Sequence, residues 1–161
     1  MKNLFTIGVY ETNEIDFFNK LKNNNIDIFC DIRRRRGVRG AKYSFVNSLR
    51  LQEKLNEMNI EYLHFIEMSP SNEIREKQKQ EDTKLKIDKR KRSVLGSTFI
   101  NLYKKEHLNE KNISNFTNFL SNSSNKNIVL FCVEKDPLAC HRSILTDYLE
   151  NKNSKINIIN L

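Results

Sequence analysis

The sequence predicts an α/β protein, a three-layer α/β/α arrangement around a mostly parallel, Rossmann-like sheet of about five strands. Short β-rich runs alternate with stretches whose apolar residues recur every three or four positions, the pattern of strands separated by helices. The run Ile128-Val129-Leu130-Phe131 is apolar at every position, as a strand buried on both faces requires. Clusters such as Asn23-Asn24-Asn25 and Asp136-Pro137 punctuate the alternation.

In chain order, residues 4–10 (LFTIGVY) form the first strand. Thr12 is expected to cap a helix through Asn24 with Ile15, Phe18 and Leu21 inward. Residues 26–32 (IDIFCDI) are the second strand, residues 44–58 the second helix, and residues 60–66 (IEYLHFI) the third strand, with His64 a core or edge residue inside it. Residues 71–92 are dominated by charged and amide side chains and contain the basic cluster Lys89-Arg90-Lys91-Arg92, so the single domain of residues 1–161 carries a basic, mobile insertion at about 71–96. A helix over 98–108, a short one capped by Ser114, the strand opening at Asn127, a helix from Cys140 and a last strand over 155–161 complete the order.

A chain of 161 residues is long enough to bury a core without metal or disulfide staples. No run approaches the ~18 apolar residues of a membrane span. The start MKNLFTIGVYE lacks the apolar core and cleavage site of a secretory signal, so a cytoplasmic location is expected. Three irregularly spaced cysteines point to reduced thiols. A formal charge of +8 favours an anionic partner, a nucleotide or nucleic acid, although Lys and Asn abound throughout and a generally basic surface accounts for the same number.

The chemistry concentrates in residues 127–150 (NIVLFCVEKDPLACHRSILTDYLE), where a strand runs through a loop into a helix. In parallel sheets that junction collects loops and free helix N–H groups. Glu11, Asp31, Glu67 and Glu134 each lie at or just past a predicted strand end, so parallel pairing is expected to gather four acids on one edge, with Tyr10 lining the pocket. The loop RRRRGVRGAK that begins at Arg33 reads equally as an anion-binding loop or a solvated charge run. Cys140, His141 and Arg142 would add an imidazole and a cationic fork at a helix start. Cys132 next to Phe131 is expected to be packing rather than a nucleophile. Cys132, Cys140 and His141 could hold zinc, but with no CxxC pair and no obvious fourth ligand, no metal is expected, and no cofactor is implied.

Thr6-Ile7-Gly8, Asp31-Ile32-Arg33, Asn59-Ile60-Glu61-Tyr62 and above all Cys132, Glu134, Asp136, Pro137, Cys140, His141 and Arg142 resemble the bacterial and archaeal family catalogued as domain of unknown function 488. The chain departs from that pattern at Val9-Tyr10, where the family has His-Ser, and at the arginine run, where it has Pro-x-Ser. Met68-Ser69-Pro70-Ser71 replaces its glycine-rich turn. The resemblance implies the fold and a site at the strand ends, and implies no reaction.

The expectation is therefore an enzyme or enzyme-derived domain, a hydrolase or transferase acting on a nucleotide or nucleic-acid phosphate. Glu134, His141 and Asp31 would be catalytic, while Arg33, Arg142, Cys140, Glu11 and Tyr10 would bind the anion or substrate. The alternatives are a thiol-dependent, rhodanese-like sulfurtransferase and a non-catalytic basic module that grips nucleic acid.

Overall fold

A computed structural model describes residues 2–161, apart from the side chain of Arg90. Strands β1 (Lys2–Ile7), β2 (Ile28–Asp31), β3 (Glu61–His64), β4 (Ile128–Phe131) and β5 (Ile156–Asn160) form one sheet in the order β3-β2-β4-β1-β5. Every neighbouring pair is parallel. Helices α1 (Glu14–Asn23) and α2 (Ser48–Glu57) cover one face. Helices α3 (Asn72–Lys84), α4 (Ser97–His107), α5 (Glu110–Asn122) and α6 (His141–Lys152) cover the other.

The apolar run of β4 places it at the centre. Ile128 and Leu130 pack into the core under α4, α5 and α6, and Val129 and Phe131 into the core under α1 and α2. The Phe131 ring meets Phe29 at 5.1 Å and Phe17 at 5.6 Å between centroids. Deleting such a ring costs ~3–5 kcal/mol. In register, Leu130 lies between Thr6 of β1 and Cys30 of β2. The loops that leave β1, β4 and β2 consequently run side by side at the carboxyl edge.

Three helix starts differ from the sequence expectation. Asn13, not Thr12, caps α1 by accepting from Asp16 N–H at 2.8 Å. Phe18 and Leu21 face inward as expected, Phe17 joins them, and Ile15 is 74% exposed. The second helix is divided into a 3-10 turn (Ser44–Val46) and α2 proper. Asn109 rather than Ser114 caps α5, which is thereby long enough to bury Ile113 as well as Phe116 and Leu120.

Within residues 71–96, α3 buries Ile74 together with the polar Gln78 and Asp82. Asp82 accepts from Arg92 at 2.6 Å, and Gln78 accepts the Gly96 N–H at 2.9 Å. This polar packing supplies what the sparse apolar residues do not. Among the described residues, no helix is long and apolar enough to cross a membrane.

Candidate functional site

The loop after β4 is held by backbone and by one arginine. Cys132 N–H donates to Ile7 O at 3.3 Å, and the N–H groups of Val9 and Tyr10 donate to Val133 O at 3.1 and 3.0 Å. From α6, the Arg142 guanidinium donates to Glu134 O at 2.6 Å and Lys135 O at 2.8 Å, with Ile7 O at 3.4 Å. At 1% exposure this side chain braces the loop from within the core. Gly8 is required at the same place, since a Cβ there would run into the Glu134 carbonyl oxygen.

The brace presents Cys132 to the start of α6. Cys132 Sγ lies 3.9 Å and Cys140 Sγ 3.6 Å from His141 Nδ1. His141 Nε2 is 2.9 Å from the Ile32 carbonyl oxygen, which can only accept, so Nε2 donates to it and Nδ1 is the ring nitrogen turned to both sulfurs. The Tyr103 ring packs on the imidazole at 5.5 Å. The two thiols share a proton unequally. A hydrogen bond from Cys140, together with His141 and Arg142, holds Cys132 well below an ordinary thiol in spite of burial. Burial and the neighbouring Cys132 hold Cys140 well above it. The donor atoms of Cys132, Cys140 and His141 all lie within 4.8 Å of one another, so this trio could hold a metal ion.

Glu134 is 4% exposed beside this cluster, with its carboxylate 3.6 Å from Arg92 and 3.9 Å from Lys89. Burial first and the Cys132 charge second push its carboxyl up to about 7 against those cations. Arg75 of α3 is half-buried. Burial lowers its pKa, the charges of Arg35 and Arg34 lower it further, and Cys132 opposes them. Among the described residues, none of these three guanidiniums is in an ion pair with a carboxylate.

The other expected site residues are engaged elsewhere. The four acids are not brought to one point. Asp31 is fully buried and accepts from Arg33 at 2.9 and 2.7 Å and from the Tyr62 hydroxyl at 2.9 Å. Arg33 also donates to Val46 O at 3.0 Å and stacks over Phe131 at 4.5 Å. Glu67 is exposed, and its carbonyl meets His107 at 3.0 Å. Glu11 sits at φ 63°, exposed and paired with Lys135. With Tyr10 and Gly8 it lines a groove of about 540 Å³ that includes none of the thiols, His141 or Glu134. The thiol cluster lies away from that groove.

Arg75, Arg92, Lys89 and Tyr103 were not picked out by sequence as site residues. Arg75 and Arg92 come from the charge-rich stretch 71–96, where nothing in the spacing distinguishes a side chain facing the sheet edge from its solvated neighbours. The 3.6-residue repeat through Ile74, Gln78 and Asp82 is the one signal that α3 packs inward.

No curated protein and no solved structure matches the chain. The family described as "Domain of unknown function DUF488" matches residues 15–149, a span that takes in both Asp31-Ile32-Arg33 and the whole segment from Cys132 to Arg142. The fold, the strand-end cluster and this match agree, and the chain belongs to the DUF488 family.

Proposed function

We propose that the protein is an enzyme acting on a phosphorylated substrate, a nucleotide or nucleic-acid phosphate, at the carboxyl edge of β4. One observation carries the reading: half-buried Arg75 is within electrostatic range of Arg34, Arg35 and Cys132, and among the described residues it is in no ion pair with a carboxylate. Like charges held together away from full solvent repel one another, and an anion bridging them relieves the repulsion. The Nε of Arg34 is fixed by Pro70 O at 2.8 Å, leaving its terminal nitrogens for a phosphate. Glu134, buried next to the cluster, is the acid–base group of this reading. Asp31, Arg33 and Arg142 are its scaffold.

The test is phosphatase and nucleotidase activity of the full chain on p-nitrophenyl phosphate and nucleoside phosphates. Arg75→Ala is expected to raise KM about tenfold, ~1.4 kcal/mol, with a smaller change in kcat. Glu134→Gln is expected to abolish turnover and leave binding intact. Binding that survives Arg75→Ala unchanged overturns the reading.

The thiol alternative has its own support, since Cys132 Sγ is flanked by a second thiol and an imidazole nitrogen. A sulfurtransferase would take the sulfane sulfur of thiosulfate onto Cys132 and release sulfite. Intact-mass analysis after thiosulfate treatment of metal-free protein reads a persulfide directly.

A further inference from the structure

We propose that Cys132 Sγ, Cys140 Sγ and His141 Nδ1 form a three-ligand site for a soft divalent cation, zinc above all, at the junction of β4 and α6. The spacing of the donor atoms carries the inference. Zn–S bonds of ~2.3 Å and Zn–N bonds of ~2.0 Å at tetrahedral angles place sulfur and nitrogen roughly 3.5 Å apart. The observed separations from His141 Nδ1 are 3.6 Å to Cys140 Sγ and 3.9 Å to Cys132 Sγ. A close-packed core gives two sulfurs and an imidazole nitrogen no reason to converge on one point.

The surroundings fit the same role. A metal-bound imidazole donates its other N–H to a fixed oxygen, which sets the tautomer and the ring angle. His141 does this through Nε2 to Ile32 O at 2.9 Å. Tyr103, against the ring, is fixed in turn by its hydroxyl donating to Met68 O at 2.6 Å. The Arg142 fork immobilises the loop that carries Cys132. The ligands therefore stand on a rigid frame.

Charge decides what the ion would do. Two thiolates neutralise a dication, so the guanidiniums of Arg75, Arg34 and Arg35 do not oppose its binding. Among the described residues no fourth His, Cys, Asp or Glu joins the cluster. Three protein ligands are the arrangement of a catalytic zinc, whose fourth position goes to water or substrate. With Arg75 in electrostatic range of Cys132, a phosphate oxygen is favoured as that ligand. Only this last step rests on the proposed phosphate reading; the metal site does not. The ion would supply a Lewis acid for a phosphoryl oxygen.

The experiment is titration of metal-free, reduced full-length protein with Co²⁺ and then Zn²⁺. One equivalent of Co²⁺ is expected to give thiolate-to-cobalt absorption and the intense visible bands of a tetrahedral site, both removed by Zn²⁺. Cys132→Ser, Cys140→Ser and His141→Gln should each weaken binding tenfold or more, and Cys30→Ala should not. For any ligand variant that fails to fold, alkylation of the wild type gives the answer: Zn²⁺ should protect Cys132 and Cys140. A weak octahedral cobalt spectrum, or alkylation of Cys132 at one rate with and without Zn²⁺, overturns the site. Cobalt bands retained in Arg75→Ala with inorganic phosphate binding unchanged overturn the phosphate reading alone. Phosphate binding lost in Arg75→Ala with no cobalt bands in the wild type overturns the metal site alone.

Discussion

His141 Nε2 stands 2.9 Å from the carbonyl oxygen of Ile32, one residue past the end of β2. The contact commits Nε2 to donating, and so turns the other ring nitrogen of a helix-start histidine towards two sulfurs. Nitrogen-15 NMR of the imidazole should show the Nε2–H tautomer in metal-free protein, and Zn²⁺ should move the Nδ1 resonance with little change at Nε2. An Nδ1–H tautomer would remove the basis of the metal site.

Arg142 is expected to behave as a structural residue. Arg142→Met leaves the carbonyls of Glu134 and Lys135 without their donor and should cost ~1.5–3 kcal/mol in chemical denaturation. Arg142→Lys should recover little, because an ammonium cannot reproduce the fork. A loss of phosphate binding with unchanged stability would instead return Arg142 to the anion site that the sequence suggested.

The legible parts of the chain were those in which one residue type has one use. Ile128–Phe131 is apolar throughout, and only a doubly covered strand needs that; β4 is where the pattern put it. Thr12 and Asn13 both cap helices, so the sequence could not choose between them, and the 3.6-residue repeat that places Phe18 and Leu21 inside admits either Ile15 or Phe17 beside them. Carboxylates after strands mark where strands end and carry no information on side-chain direction, which is why four acids read as one site. The Asp31–Arg33 pair is an exception in hindsight, since opposite charges two residues apart share a face. The thiol cluster is half legible: the sequence marks Cys140 and His141 as site residues and Cys132 as packing. Its side chain is in the core under α4–α6, and its sulfur also joins the cluster.

Gly8 should tolerate no side chain. Gly8→Ala brings a methyl group against the Glu134 carbonyl oxygen, which Arg142 already holds in place. The expected cost is ~1–3 kcal/mol, as in overpacked cores. Moving that carbonyl displaces the Cys132 loop, so Co²⁺ affinity should fall with stability. Unchanged melting and cobalt spectra would mean that the loop yields freely, contrary to the bracing described above.

Stability in alkali should report on Tyr62. Burial and the adjacent Asp31 carboxylate push its phenol from 10.0 up to about 12, and its hydroxyl donates to that carboxylate at 2.9 Å. Because the folded pKa lies above the unfolded one, the contribution of Tyr62 is fully present below pH 10 and is lost as pH rises towards 12. Ionisation would set a phenolate beside Asp31 and loosen the Asp31–Arg33 clamp at the end of β2. Denaturation midpoints followed upward from neutral pH should therefore fall more steeply for the wild type than for Tyr62→Phe, which has no proton to lose. Parallel slopes for the two proteins would show that the phenol ionises without strain and that the clamp does not depend on it.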